Sequence, residues 1–139
     1  MSDPVNYILD TNILSETRKK QASGKVIAFL TDTNPSTFYI SVLSLGELRK
    51  GVALKHRTDP TAANLLSAWV DGLEFSFADR ILGIDAANAR LWGEWSAQRS
   101  RPVIDTLLAA TAVVHGLTLV TRNTADVSGI DVELLNPFL

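Results

Sequence analysis

The sequence predicts an α/β fold of three layers, in which a central parallel sheet of about four to five strands lies between helices. Short apolar segments of strand length alternate with longer segments whose apolar residues recur at helical spacing. Strands that alternate with helices form parallel sheets covered on both faces. No repeat, linker or shift in composition divides the 139 residues. We therefore expect one domain over residues 1–139.

The predicted strands are five short segments rich in apolar residues. They span 5–9, 38–42, 81–84, 117–121 and 132–135. Runs of this length and composition are typical of buried strands in a parallel sheet.

The predicted helices lie between these strands and carry the usual end signals. They span 25–33, 44–56, 60–77, 86–95 and 104 to Gly116. Pro60 suits a first helical turn, Asp85 can cap the helix that follows it, and Gly116 can end the last helix.

Composition and charge exclude several classes of function. The chain has no cysteine, which rules out disulfides, thiolate metal sites and cysteine nucleophiles. A formal net charge of −2 means that a polyanion would have to bind a local basic patch. No apolar run approaches the roughly 18 residues that span a membrane, and no signal peptide is evident, so we expect a cytoplasmic protein. The phosphate-binding loops and the nucleophile elbow of serine hydrolases are also absent from the sequence.

Asp10 is the first candidate functional residue, since it interrupts the apolar stretch N-Y-I-L-D-T-N-I-L. Burying an unpaired carboxylate costs several kcal/mol, on the order of the stability of a whole domain. Asp10 could cap a short helix over T-N-I-L-S-E. It could equally belong to a site, because ligands of parallel sheets bind beyond the carboxyl ends of the strands.

Three further acids also have a structural and a functional interpretation. Glu47 matches a capping box with Ser44, although its helical face is apolar and small. Asp105 follows Pro102 and would favour the helix dipole, while its own face carries small residues that draw it inward. Asp126 could be an ordinary turn aspartate.

The joint interpretation is stronger than any single one. If Asp10, Glu47, Asp105 and Asp126 converge, their repulsion is several kcal/mol per close pair at an effective dielectric constant of about 20. Protons or a cation must then neutralise them. Hard oxygen ligands favour Mg²⁺ or Mn²⁺, and a carboxylate-held ion of this kind suits phosphodiester hydrolysis.

Four ordered motifs carry a resemblance to a known family. They are Y-I-L-D-T-N-I-L-S-E, S-V-L-S-L-G-E-L, V-I-D-T-L-L-A-A-T-A and L-T-L-V-T-R-N-T-A-D. Together they resemble PIN-domain proteins, and among these the VapC-type toxins of type II toxin–antitoxin systems, including the FitB-like branch. The resemblance covers essentially the whole chain.

The resemblance implies a PIN-like α/β/α fold and an endoribonuclease, a hydrolase of EC class 3.1. Cleavage by a metal-activated water would leave 5′-phosphate and 3′-hydroxyl ends. Asp10 and Asp105 would be the primary metal ligands, with Glu47 direct or through water, and Asp126 a weaker or second-metal ligand. The last acid varies in position, and Val127 stands where the family often has an aromatic residue.

Four polar residues are expected to support the acids. Thr11 and Asn12 would orient the Asp10 loop, Thr121 would orient a carboxylate or water, and Asn123 would be a polar helper.

Basic residues near the motifs are candidates for contact with the RNA backbone, although each is also plausible as a solvated charge. The nearest are Arg18, Lys19, Lys20 and Arg122, and further candidates include Arg99 and Arg101.

His56 and His115 suit helix C-termini better than catalysis. Trp92 and Trp95 suit either core packing or a dimer surface.

The resemblance also implies partners. These are an RNA substrate and a small VapB-like antitoxin that blocks the site. A homodimer is expected, with a heterotetramer or larger assembly when the antitoxin binds, and contact with promoter DNA only through the antitoxin.

Two rival functions stay open. One is a catalytically silent PIN-like module that binds RNA or protein. The other is a phosphatase of the haloacid-dehalogenase type, which usually has a second aspartate where this chain has Asn12.

Overall fold

A computed structural model describes residues 4–139 as a five-stranded parallel sheet with helices on both faces. The strands are β1 (Tyr7–Leu9), β2 (Phe38–Ser41), β3 (Ile81–Leu82), β4 (Thr118–Val120) and β5 (Leu134–Leu135). The helices are α1 (Thr11–Glu16), α2 (Gly24–Asp32), α3 (Val42–His56), α4 (Pro60–Ser76), α5 (Ala86–Gln98) and α6 (Val103–His115). Two 3₁₀ turns, Pro35–Thr37 and Thr124–Val127, complete the regular structure of this part of the chain.

The strand order is β3-β2-β1-β4-β5, so the first strand lies at the centre of the sheet. Tyr7 and Leu9 of β1 pair with Thr118 and Val120 of β4. The chain winds outward from β1 through β2 to β3, and then crosses to β4 and β5 on the other side. This reversal beside β1 is a topological switch point, where parallel sheets open a crevice at their carboxyl edge.

Hydrophobic residues on the two faces of the sheet form two separate cores. Along β1, Leu9 packs into the core beneath α1 to α4, whereas Ile8 packs into the core beneath α6. Val120 and Leu119 alternate in the same way on β4. Successive side chains of a strand point to opposite faces, so this short apolar sheet supports helices on both sides. The predicted three-layer α/β/α fold is confirmed.

All five predicted strands are present, each shorter than its apolar segment. The short helix over residues 11–16 is α1, and Asp10 is its N-cap. Pro60 begins α4, Asp85 caps α5, and Gly116 ends α6 with a φ of 67° that favours glycine. These end signals acted as predicted.

The capping-box interpretation of Glu47 is wrong. Helix α3 begins at Val42, and its N-cap is Ser41, whose hydroxyl accepts a hydrogen bond from the Leu43 N–H at 3.0 Å. Ser44 is buried inside the first turn. Glu47 therefore lies well within the helix and needs another explanation.

A buried polar contact joins α5 to α6. Asn88 Nδ2 donates to Thr111 Oγ1 at 2.9 Å, and both residues are fully buried. Trp95 packs against the core on this face, which favours the packing interpretation for that residue. No helix within residues 4–139 is long and apolar enough to cross a membrane.

Candidate active site

An open cleft of about 410 Å³ lies at the carboxyl edge of the sheet, beside the switch point. Its lining combines three carboxylates with neutral polar groups. The residues are Asp10, Thr11, Asn12, Ser15, Glu47, Asp105 and Asn123. They come from the ends of β1 and β4, from α1, and from helices α3 and α6. The fold thus gathers acids that are far apart in sequence.

Asp10 is held at the mouth of β1 by hydrogen bonds to both carboxylate oxygens. Its backbone N–H donates to the Val120 carbonyl at 2.9 Å and so continues the ladder between β1 and β4. Its Oδ1 accepts from the Thr11 N–H at 2.6 Å, and its Oδ2 accepts from Asn12 Nδ2 at 3.0 Å. Thr121 Oγ1 also donates to Oδ2, at 2.7 Å. Asp10 is 4% exposed, so the protein itself supplies the donors that solvent would otherwise provide.

Thr121 joins the ends of the two central strands. Besides donating to Asp10, its hydroxyl accepts from the Asn123 N–H at 3.0 Å. Asn12 Oδ1 accepts from the Arg122 N–H at 3.3 Å, which adds a second link between the same two loops. Asn12 and Thr121 are therefore positioned to orient Asp10, as their motifs suggested, while Asn123 lines the cleft.

Glu47 reaches the cleft from the second turn of α3. Thr11 Oγ1 donates to its Oε1 at 2.6 Å, which ties α3 to the start of α1. Within residues 4–139 its other oxygen, Oε2, has no hydrogen-bond donor. Glu47 is half-buried rather than fully solvated. Its place in α3 is thus explained by a contact with the Asp10 loop and not by helix capping.

Asp105 enters the cleft from the first turn of α6, next to Asp126 of the 3₁₀ turn Thr124–Val127. The pKa of Asp105 is raised to about 7, first by burial and then by the charges of Asp10 and Asp126. A hydrogen bond to the Asp126 carboxyl, which favours the protonated form of Asp105, and the charge of Glu47 contribute to the same rise. Asp10, Glu47 and Asp126 therefore all act electrostatically on Asp105, although Asp126 is not among the residues that line the cleft.

The pKa of Asp10 is also raised, and burial is again the main cause. Unlike Asp105, Asp10 has donors that oppose this effect: the Thr121 hydroxyl, the Thr11 N–H and the Asn12 amide all favour its charged form. The charge of Glu47 raises the pKa. The two central acids of the cleft are thus compensated to different degrees.

The oxygen atoms that line the cleft are suited to a hydrated divalent cation rather than to an enclosed one. Within residues 4–139, no three acidic or histidine side chains stand in an arrangement that would by itself enclose a metal ion. Mg²⁺ rarely needs such a cage, because it keeps several waters and is commonly bound through one or two carboxylates. The raised pKa of Asp105 beside three other acids marks a place where positive charge is lacking. The chemistry of the residues therefore fits a hydrated hard cation held by Asp10 and Asp105.

None of the four nearest predicted RNA-contacting residues is among the residues that line the cleft. Arg18, Lys19 and Lys20 are exposed in the turn after α1, where Arg18 lies over the Trp69 ring and Lys19 pairs with Glu16. Arg122 is exposed and lies over the Phe138 ring at 4.5 Å. His56 and His115 are in the last turns of α3 and α6, as expected.

Two residues near the site were not singled out from the sequence. Ser15 lines the cleft, and its position four residues after Thr11 on the same helical face was a usable signal for it. Glu16 is a buried acid that is not part of the cleft lining: its carboxylate accepts from the Ser23 N–H at 3.2 Å and pairs with Lys19 at 2.9 Å. Lys19, the Ser23 N–H and the charge of Arg122 lower the pKa of Glu16.

Comparison with known proteins agrees with this fold. The model of the PIN domain family matches residues 7–128. Toxin FitB of Neisseria gonorrhoeae is 33% identical over 94% of this chain and 97% of its own length, and a VapC ribonuclease of Sinorhizobium fredii is 33% identical over 94% and 96%. A crystal structure of FitAcB from Neisseria gonorrhoeae superposes with a TM-score of 0.86 at 31% identity, covering 95% of this chain and 98% of that one. The chain therefore belongs to the PIN-domain family, within its VapC- and FitB-type toxins.

Proposed function

We propose that this protein is a Mg²⁺- or Mn²⁺-dependent endoribonuclease that acts as the toxin of a VapBC-type pair. One observation carries the proposal: four acids from four separate segments influence one another at the switch-point cleft, and burial together with like charge raises the pKa of Asp105 to about 7. An arrangement with so much uncompensated negative charge costs stability, so it is retained for a function that brings a cation. Relatives named as ribonucleases support the choice of nucleic acid hydrolysis.

Each acid has a distinct place in the proposed reaction. Asp10 is fixed by its three donors and supplies an oriented carboxylate, while Asp105 supplies one that has no such donors. Glu47 accepts a hydrogen bond from Thr11 on one oxygen, and its other oxygen has no donor among residues 4–139, so it is suited to orient the attacking water and accept its proton. Asp126 acts through Asp105. A bound Mg²⁺ or Mn²⁺ would lower the pKa of the attacking water and neutralise charge on the phosphate.

The proposed hydrolysis breaks the bond between phosphorus and the 3′ oxygen. The water oxygen bonds to phosphorus, one of its protons passes to a carboxylate of the cleft, and the leaving 3′ oxygen takes up a proton. The products are a 5′-phosphate and a 3′-hydroxyl.

The proposal includes a small antitoxin partner and a homodimer of this chain. It is supported by the similarity to FitAcB and by a structure of FitAB bound to a DNA fragment, which has 29% identity and a TM-score of 0.86. We propose that the antitoxin blocks the acidic cleft, that the complex is a heterotetramer or larger, and that it contacts promoter DNA through the antitoxin.

The decisive experiment is cleavage of total RNA by purified, antitoxin-free protein with Mg²⁺ or Mn²⁺. Asp105→Asn is the test variant, and Asp32→Asn, an exposed carboxyl at the end of α2, is the matched control. Cleavage by the wild type and the control, lost in Asp105→Asn and in chelator, supports the proposal. Cleavage that survives Asp105→Asn contradicts it. A folded protein that neither cuts RNA nor gains thermal stability from either ion supports the silent module.

A further inference from the structure

Two arginines converge on a single backbone oxygen that follows shortly after Asp126 in the chain. Arg99 Nη2 and Arg101 Nη1 both donate to the Ser128 carbonyl, each at 2.8 Å. Gly129 has a φ of 84°, which lets the chain turn directly after this carbonyl. A Cβ added at Gly129 would lie 3.6 Å from Arg101 Nη2, so this guanidinium nitrogen is close to the turn.

The charges of this pair are not neutralised within residues 4–139. Arg49, Arg80 and Arg90 each pair with a carboxylate, whereas neither Arg99 nor Arg101 has one within 4.0 Å. A carbonyl oxygen accepts hydrogen bonds but carries no net charge to offset two guanidinium groups. Arg101 Nε is enclosed and has no hydrogen-bond partner in this part of the chain. Burial and the charge of Arg99 lower the pKa of Arg101, as expected for two cations held close together.

The position of the pair relates it to the cleft. Arg101 lies four residues before Asp105, and Ser128 lies two residues after Asp126. The pair therefore bridges the two segments that carry these acids. A guanidinium has five N–H donors in a planar fork, and most of the donors of both residues remain unused in the described chain. What the pair lacks is an anion with several oxygens.

We propose that Arg99 and Arg101 form a phosphate-binding subsite that holds one phosphate of the RNA chain at the Asp105–Asp126 end of the cleft. Phosphate oxygens accept paired hydrogen bonds from guanidinium forks, and the bonds are charge-assisted. The protein has a net charge of −2, so a strongly acidic cleft needs a local cationic group to receive a polyanion. This inference rests on the proposed function for the identity of the ligand, and it is tested by binding without cleavage.

The test measures the salt dependence of RNA binding. The protein carries Asp10→Asn and is kept in chelator so that RNA stays intact, and the probe is a labelled single-stranded oligonucleotide of about ten nucleotides. The variant Arg99→Gln/Arg101→Gln should bind about tenfold more weakly at low salt. Its plot of log affinity against log salt should also be less steep by about 0.7, the value for one lost phosphate contact on a single strand. Arg99→Lys/Arg101→Lys should keep the slope and lose affinity, because charge is retained and the fork is not.

The matched control is Arg90→Gln, which changes an exposed arginine that pairs with Glu94 on α5, the helix that Arg99 caps. It should leave both affinity and slope unchanged. Urea midpoints of every variant show that each is folded. If the two arginines only brace the loop, the double Gln variant lowers the urea midpoint and leaves the salt slope unchanged, and the proposal is overturned.

Two further measurements distinguish RNA from free phosphate as the ligand, and failure of the subsite from failure of the proposed nuclease function. Inorganic phosphate is titrated calorimetrically into the wild type and the double variant. Binding of free phosphate that depends on the arginines, with an unchanged RNA slope, overturns the assignment to RNA. If the wild-type protein cuts RNA but the double Gln substitution leaves the salt slope of RNA binding unchanged, the subsite is refuted and the nuclease function is not. Protein that does not cut RNA but shows the expected slope change refutes the nuclease and supports the subsite.

Discussion

Asp10 and Asp105 occupy the two sides of one cleft, yet the protein treats them differently. Asp10 is almost fully buried and accepts hydrogen bonds from Thr11, Asn12 and Thr121. Asp105 is less buried and accepts no hydrogen bond from a protein donor among residues 4–139, and burial together with the neighbouring acids raises its pKa to about 7. The chain's own polar groups thus compensate one acid and leave the other to a group from solution. The difference indicates which acid positions the site and which one responds to its ligand.

Removing either charge should have the largest effect on activity and should separate the two acids by stability. We expect Asp10→Asn and Asp105→Asn each to lower RNA cleavage by at least about a hundredfold, above the range for residues that only support a metal ligand. Asp10→Asn should also lower the free energy of unfolding by about 1 kcal/mol, because an amide cannot accept all of these hydrogen bonds. Asp105→Asn should instead raise the free energy of unfolding at about pH 8, because this substitution removes the repulsion between Asp105 and the neighbouring acids. Cleavage assays and urea denaturation measure the two effects, and a loss of stability in both variants would contradict the contrast.

Thr121→Val removes one of the hydrogen-bond donors of Asp10 without changing a charge. The residue is 2% exposed and its hydroxyl serves both Asp10 and the Asn123 N–H, so its loss should cost about 1–3 kcal/mol of unfolding free energy. Cleavage should fall by about 10- to 100-fold.

Thr106→Val is the matched control for this variant. Thr106 is equally buried, but its hydroxyl only donates to the Pro102 carbonyl of its own helix. It should keep nearly full activity, and an equal loss in both variants would mean that Thr121 acts through packing alone.

Asp105, the acid without protein donors among residues 4–139, should govern how the free energy of unfolding depends on pH. Asp105 has an ordinary pKa of 3.8 when unfolded and of about 7 when folded, so between these values the native state binds more protons. The free energy of unfolding without metal should therefore fall as pH rises from about 4 to about 7, through this group. Mg²⁺ should restore stability most strongly above about pH 7.

Urea midpoints at several pH values, with and without Mg²⁺, measure this dependence, and Asp105→Asn should flatten it. A metal-free slope that is the same in wild type and Asp105→Asn would exclude Asp105 as its source.

The smallest expected effect is that of Glu16 on stability, and its dependence on pH is opposite in sign to that of Asp105. It lies outside the cleft, and Lys19 and the Ser23 N–H lower its pKa below 4.5. Its stabilising contribution is therefore present above about pH 4.5 and is lost as pH falls through the folded pKa. Glu16→Gln should leave cleavage unchanged and reduce stability only at neutral pH. Activity lost in this variant would show that the site extends beyond the cleft.

The helices and strands of this fold, and the position of Asp10 at the end of β1, could be predicted from the sequence. Apolar strand segments, helix caps and a polar interruption of an apolar stretch are all short-range signals. The start of α3 was misread since Ser41 and Ser44 are both competent caps, and only the end of β2 decides between them. The unequal compensation of Asp10 and Asp105 could not be read from the sequence. It depends on a hydroxyl that is 111 residues from Asp10 in sequence and on the depth to which α6 buries its first turn.

The central position of β1 also has a consequence for the synthesis of the chain. The first strand made is the one that must wait for β4, and the hydroxyl that completes the surroundings of Asp10 comes 111 residues later. A ribosome translating this message has therefore made most of the polypeptide before its acidic centre can exist. A nascent chain, like a truncated product that ends before β4, therefore lacks the hydroxyl that completes the surroundings of Asp10.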